Sequence, residues 1–203
     1  MPGAVYNLGV IDVEYSLLAL RDDGPDLGLL DDAERARAAR FLDPRARARF
    51  VTTRSALRRA LAHRLRIEPC DVRFVYGPQG KPALAEGDVT FSVSHAGDLA
   101  LLAFASGVPI GADIERVREV AHASEIAHRL FGEATPRTRE EFFRLWARHE
   151  AGVKCVGTTV LAPLREPSRL AVADVPVPPG YVAAIAAATP VLTLTERPLY
   201  SAG

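Results

Sequence analysis

Residues 89–115 constrain the fold more than any other stretch of this chain. Val89, Phe91 and Val93 alternate with Thr90, Ser92 and Ser94, the period-two pattern of a half-buried strand. Gly97-Asp98 marks a turn and Leu99–Ala105 is apolar throughout, so the two segments predict a hairpin. Val108–Glu115 alternates again, with Ile110, Ala112 and Ile114 opposing Gly111, Asp113 and Glu115. Helical signals flank this strand-rich centre. Asp31 and Asp32 can cap a helix through about Phe41, and Asp43-Pro44 supplies the N-cap and first position of a longer helix reaching Leu65. A helical stretch is expected over Ser124–Leu130 and a stronger one over Thr138–Val153. Val72–Tyr76 predicts a short strand, followed by a Gly77-Pro78-Gln79-Gly80 turn; Arg169–Val175 and Tyr181–Ala188 predict two more strands between Pro-rich turns. Helices mixed with hairpin-type strands argue for an α+β fold, here two lobes joined near Ser106–Pro109.

Composition narrows the class of partner. The 203 residues are enough for a sizeable core, and the formal net charge is zero, so global attraction to nucleic acid or membrane is not expected. Charge is uneven, however: between Asp31 and Arg73 twelve arginines face six acids, an excess that could meet an anion. Cys70 and Cys155 form no motif and suit a reducing compartment. The N-terminus has no basic-then-apolar signal pattern, and the apolar runs Leu99–Ala105 and Tyr181–Ala188 are too short to span a bilayer. A cytoplasmic protein is the expectation.

Only two lysines stand among twenty-three arginines, at Lys81 within Gly80-Lys81-Pro82 and at Lys154, four residues after Glu150. An ammonium is a compact point charge with a tunable pKa, whereas a guanidinium is a planar fork that stays protonated. At helical pitch Phe143, Trp146, Glu150, Val153 and Lys154 share one face. An acid and a base on an aromatic face suit a cleft better than the usual solvated i,i+4 pair. Asp113 and Glu115, two apart on a strand, lie about 6.6–7 Å from each other on one face. Carboxylates held that close repel unless a cation or proton intervenes, and all-oxygen ligation suits Mg²⁺; the alternative is a solvated strand face. Arg54 lies at the edge of the apolar stripe Phe50, Leu57, Leu61, open to either a phosphate contact or an internal salt bridge. Ser94 and His95 point to opposite faces, so they are not a nucleophile–base pair, but donors at a strand end suit a phosphate or ribose. Phosphate-loop, dinucleotide and paired-cysteine zinc spacings are absent, as is Gly-x-Ser-x-Gly.

In order, the chain offers an Arg-rich helix, Gly80-Lys81-Pro82, Phe91-Ser92-Val93-Ser94-His95, Gly111-Ala112-Asp113-Ile114-Glu115 and Trp146-Ala147-Arg148-His149-Glu150-Ala151-Gly152-Val153-Lys154. This series resembles the 4′-phosphopantetheinyl transferases of the monomeric surfactin-synthetase-activator type, over roughly Asp31 to Ala188. The resemblance implies two pseudo-twofold-related lobes, residues 1–107 and 108–203, with the active site in the cleft between them. It implies Mg²⁺-dependent transfer of the phosphopantetheine arm of coenzyme A to a serine of an apo acyl or peptidyl carrier protein, such as those of fatty-acid, polyketide or non-ribosomal peptide synthesis. Adenosine 3′,5′-bisphosphate would be released. Asp113, Glu115 and Glu150 would hold Mg²⁺ on the pyrophosphate, Glu150 would also deprotonate the serine, and Lys154 would neutralise or protonate the leaving phosphate. Lys81, Ser94 and His95 match positions that grip nucleotide phosphates, and Arg37 and Arg49 match basic positions near the 3′-phosphate; Arg54 joins them from the helical stripe.

The sequence departs from the family pattern at His149, where a lysine is usual and where a protonated histidine could still meet phosphate. Further departures are Ala112, Ser92, Ala96 and Thr159. Two other readings stand beside the transferase: a module of this fold that binds coenzyme A or a carrier without turnover, and a basic nucleic-acid module. The second leaves the three carboxylates unexplained.

Overall fold

The computed structural model describes residues 9–20, 26–132, 136–158 and 169–199; Thr159 lies outside them. The elements follow in the order β1 (Ile11–Ala19), α1 (Asp32–Ala39), α2 (Pro44–Leu65), β2 (Phe74–Tyr76), β3 (Pro82–Leu84), β4 (Val89–Ala96), β5 (Leu99–Ser106), β6 (Ile110–Arg116), α3 (Ala123–Phe131), α4 (Arg139–Val156), β7 (Ala171–Asp174), β8 (Tyr181–Ala187) and β9 (Leu192–Glu196). The fold is α+β.

The helix boundaries have local causes. Asp31 caps α1 in a capping box with Glu34, and the Asp43 carboxylate accepts from the Arg45 and Ala46 amides with Pro44 at the first helical position of α2. Thr138 and Glu141 form a second capping box on α4, which stops at Gly157 with φ 71°, a conformation that glycine reaches without a Cβ penalty.

β4 and β5 form the expected hairpin, in register from Val89 opposite Ser106 to Ala96 opposite Leu99. β1 joins β5 antiparallel and β9 parallel, giving a four-stranded sheet ordered β4-β5-β1-β9. A three-stranded sheet, β6-β8-β7, is antiparallel throughout, and β2 pairs with β3 in a separate ribbon. The sequence reading missed β1, β3 and β9. β1 carries Asp12 and Glu14 among its apolar residues, β3 is three residues long and begins with proline, and β9 acquires its role only by pairing with a strand some 180 positions away. β9 therefore extends the sheet built from residues 11–106, although it falls within the stretch expected to form the second lobe.

The two sheets face each other across one apolar core. Val13, Tyr15, Leu101 and Ala103 from the first meet Ile110, Ala112, Ile114, Ala183 and Ile185 from the second. Helix α2 covers the outer face of the first sheet through Leu57, Ala60 and Leu61 against Phe91, Leu102 and Phe104. Helix α4 covers the second through Phe143, Ala147, Ala151 and Cys155 against Val182, Ala184 and Ala186. The result is a layered α-β-β-α stack.

One expectation about β4 is corrected. Alternation predicts Thr90, Ser92 and Ser94 on the wet side of a half-buried strand, but Ser92 and Ser94 are buried. Their hydroxyls stitch the two sheets together: Thr90 donates to the Val108 carbonyl (2.7 Å), Ser92 accepts from the Ala112 amide (2.9 Å) and Ser94 donates to Asp113 (2.8 Å). Period-two polarity registers that a face is polar; it does not distinguish water from a hydrogen-bonding partner strand.

Candidate active site

The site is set by how closely α4 lies on β6. A Cβ placed on Gly111 would stand 2.0 Å from the Ala151 carbonyl oxygen and 2.4 Å from the Cys155 amide nitrogen. Only hydrogen at this position lets the helix rest on the strand. With Phe143, Ala147, Ala151 and Cys155 turned to the sheet, Glu150, Val153, Lys154 and Gly157 border a cleft of about 420 Å³. Its other walls come from Gln79–Pro82 and from Phe91, Ser92 and Val93 on β4. Gln79, Phe91 and Val93 were not among the expected site residues; the turn signal just before Gly80-Lys81 was the available clue.

Asp113 is buried on β6 below the cleft. Its Oδ1 accepts from the Lys154 ammonium (2.6 Å) and from the Ser94 hydroxyl (2.8 Å), and Lys154 also reaches Ser94 Oγ (3.1 Å). Asp113 Oδ2 is buried with no hydrogen-bond partner. Burial raises the Asp113 pKa, Lys154 and Ser94 pull it back, and Glu115 adds to the rise. The Glu150 pKa is raised, first by burial and then by the Asp113 and Glu115 charges, with Lys154 opposing. Mutual repulsion thus couples the three carboxylates expected at the centre. Glu115 is tied at its outer oxygen to Arg118 (2.8 Å).

An unpartnered buried carboxylate oxygen beside two further carboxylates is a donor set that suits a hard divalent cation. Among the described residues, however, no three acidic, histidine or cysteine side chains are already gathered at ligand spacing. Lys154 supplies the positive charge at Asp113.

His95, the penultimate residue of β4, faces away from Ser94, as adjacent strand residues must. Its ring reaches solvent, yet partial desolvation, followed by the nearby Lys154 and Arg49 cations, holds its pKa below the ordinary histidine value. That cluster is an electropositive spot. Arg49 pairs with the Asp98 carboxylate at the β4–β5 turn. Arg37, exposed on α1, stacks over Phe50 at 5.1 Å.

Three expected contacts are placed elsewhere. Arg54 binds Glu34 and Tyr76 Oη and stacks over Phe74 at 4.3 Å, so of its two readings the internal salt bridge is the one present. Its neighbour Arg58, which helical pitch places just beyond the Phe50, Leu57, Leu61 stripe, is fully buried. Arg58 donates to Glu34 (2.6 Å), Asp31 (2.6 Å) and the Pro69 and Val72 carbonyls. The stripe misled because α2 is covered on two sides, by the sheet and by α1. His149 is buried with its ring 5.9 Å from Phe131, on the α3 side of the helix rather than along the cleft. The Lys81 ammonium donates to two main-chain carbonyls, Ile110 (2.8 Å) and Lys154 (2.7 Å).

At least half of the twelve arginines in the Arg-rich stretch are engaged by carboxylates. Arg35, Arg49, Arg54, Arg58, Arg59 and Arg64 each pair with a carboxylate, three of them reaching Asp98, Asp26 and Glu14 outside that stretch. No helix among the described residues is long and apolar enough to cross a membrane.

Both cysteines are free. The buried Cys155 thiol donates to the Pro109 carbonyl (3.2 Å), and burial pushes its pKa up to about 11. Cys70 is exposed. A thiol reagent at pH 8 is therefore expected to add one equivalent to the native protein, at Cys70, because thiolate and access are both required; peptide mapping that found Cys155 labelled at a comparable rate would contradict this burial.

A cleft bordered by Glu150 and Lys154, with Asp113 in contact with that ammonium, has the chemistry of a site for transferring a phosphate-linked group. Comparison with known proteins gives that class its family. Residues 26–107 match the model of the N-terminal part of 4′-phosphopantetheinyl transferase, and residues 109–194 match the 4′-phosphopantetheinyl transferase superfamily model. The chain is 35% identical over 173 residues to the HetI 4′-phosphopantetheinyl transferase of Nostoc, covering 74% of this chain and 72% of that protein. It is 33% identical over 151 residues to a putative 4′-phosphopantetheinyl transferase of Synechocystis, covering 68% of this chain and 61% of that one. A 107-residue match to the AcpT 4′-phosphopantetheinyl transferase of Escherichia coli is 36% identical and covers 48% and 53%. The chain belongs to the 4′-phosphopantetheinyl transferase superfamily. Its match spans less than two thirds of the Synechocystis relative and about half of AcpT.

Proposed function

We propose that the protein transfers the 4′-phosphopantetheine arm of coenzyme A to a serine hydroxyl of an apo carrier protein. It would do so in the cytoplasm, as a monomer, releasing adenosine 3′,5′-bisphosphate. The observation that carries this reading is the cleft in which Glu150 and Lys154 stand over the buried Asp113, whose second oxygen has no partner. In this reaction the serine oxygen forms a bond to the phosphorus nearest the pantetheine. The pyrophosphate bridge breaks, and its electron pair leaves on the nucleotide phosphate.

Glu150 borders the cleft, and burial with like charges raises its proton affinity above that of an ordinary glutamate. It accepts the serine proton. Lys154, held by Asp113 and Ser94, presents an ammonium to the departing phosphate. His95, with Arg49 and Lys154 nearby, draws the remaining phosphate charge, and an anion there would restore the proton affinity its neighbours reduce. Asp113, Glu115 and Glu150 offer the all-oxygen chemistry that would hold Mg²⁺ once drawn together around it, and the ion would neutralise pyrophosphate charge. These residues need positioning and electrostatics rather than covalent chemistry, which is what this transfer demands. Which carrier is served depends on surface shape.

The test is intact-mass measurement of apo carrier domains incubated with the protein, coenzyme A and Mg²⁺, with and without EDTA. A gain of one phosphopantetheine that EDTA abolishes is the expected result. No gain on fatty-acid, polyketide or peptide carriers, with coenzyme A binding intact by calorimetry, would favour the binding module without turnover. The His149 departure gives that second reading little support, because its ring packs against Phe131 and does not line the cleft.

A further inference from the structure

Lys81 stands where the family resemblance expects a phosphate ligand, yet its ammonium serves the protein's own backbone. It donates to the Ile110 carbonyl at the start of β6 (2.8 Å) and to the Lys154 carbonyl in the last turn of α4 (2.7 Å). The second contact has a specific physical meaning. The last four carbonyls of a helix lack intrahelical partners and carry the negative end of its dipole. In α4 the Gly157 and Thr158 amides both return to the Val153 carbonyl, which leaves the Lys154 carbonyl to be satisfied from outside the helix. Lys81 does this from the β2–β3 ribbon, half-buried, at the junction of the cleft wall with α4.

We propose that Lys81 is a positioning residue. It caps the C-terminal turn of α4 against the start of β6 and thereby fixes the Lys154 ammonium over Asp113, without itself binding coenzyme A phosphate. This rests on the transferase reading for its consequence, but the capping geometry does not depend on it. The ribbon is in turn held to α2, because Arg54, anchored on Glu34, donates to Tyr76 and stacks on Phe74. A chain of contacts thus runs from the buried Glu34 through the ribbon to the last turn of α4. An ammonium suits the task because one nitrogen donates in two directions to converging carbonyls, where a guanidinium presents a longer planar fork. Both lysines of a chain otherwise supplied with arginine therefore meet here, one holding the backbone of the other.

The test is steady-state kinetics of K81M and K81R on an accepted carrier, well below their unfolding temperatures. Loss of the cap is expected to lower kcat by about 10- to 100-fold, the scale of an ångström-level misplacement, with KM for coenzyme A within about twofold. Because Lys81 acts through Lys154, K81M combined with K154M should have the same kcat as K154M alone; additive losses would overturn the proposal. A raised KM with kcat unchanged in K81M, or full restoration by K81R, would make Lys81 a phosphate contact and likewise overturn it. If K81M does not fold, the split between kcat and KM in K81R decides. If the wild-type protein transfers nothing to any carrier, the transferase reading fails by itself. Hydrogen exchange then decides the cap: exchange at residues 154–158 about tenfold faster in K81M than in wild type sustains it, and unchanged exchange overturns it.

Discussion

Glu150→Gln is expected to reduce phosphopantetheine transfer by about 10²- to 10⁴-fold, the range lost when a general base is removed, while the protein stays folded. Burial and two neighbouring carboxylates make this substitution informative. Glu150 is half-buried, and its proton affinity is raised by burial and then by Asp113 and Glu115. A neutral amide of the same shape removes that repulsion, so folding stability near neutral pH should hold or rise. The sign follows from linkage. A carboxyl whose folded pKa lies above the unfolded value of 4.5 binds more protons when folded, so wild-type stability falls as pH rises from that value through the raised one. The glutamine variant lacks this step. Melting curves at pH 4.5 and pH 8 should therefore show the gap between variant and wild type moving in the variant's favour at the higher pH. Turnover near that of the wild type would remove Glu150 from the reaction altogether.

Gly111→Ala tests the opposite kind of importance, since the residue touches no substrate. The added methyl would sit 2.0 Å from the Ala151 carbonyl oxygen, 2.4 Å from the Cys155 amide nitrogen and 3.0 Å from the Lys154 carbonyl carbon. All three are helix backbone, so no side chain can swing aside. The helix must retreat from β6, stripping packing from Ala151, Cys155, Ala184 and Ala186. Overpacking of this kind costs about 3 kcal/mol, which in a chain of this size lowers the melting temperature by about 6–12 °C. Activity should fall further than stability, because α4 carries both Glu150 and Lys154 and an ångström of displacement can reduce the rate about 100-fold. Gly9→Ala is the control: its methyl would meet nothing within 4 Å, and its effect should stay within about 0.5 kcal/mol. A Gly111→Ala protein with wild-type melting and turnover would show that α4 does not need this approach.

The sequence determined more of the scaffold than of the contacts within the site. Asp31, Asp43 with Pro44, and Gly157 delimit their helices through local hydrogen bonds and φ preferences, and the β4–β5 hairpin follows from alternation and the Gly97-Asp98 turn. The shared face of Glu150, Val153 and Lys154 and the placement of Asp113 beside Glu115 are consequences of helix and strand periodicity, but Phe143 and Trp146, expected on that same face, pack into the core beneath α4 instead of lining the cleft. Tertiary structure decided what those periods cannot express. Arg58 is buried and Lys81 is turned to carbonyls because partners 24 and 73 positions away close on them. β1 and β9 become sheet neighbours only once residues 11–15 and 192–196 meet. Ser92 and Ser94 on the polar face of β4 are dry because β6 supplies the hydrogen bonds that water would otherwise make. His149 follows the same logic, since the helical angle of one residue past Arg148 points it at Phe131 only after α3 has docked. Residue type and period set which groups can act, and the packing of distant segments sets which of them face the cleft and which hold it in place.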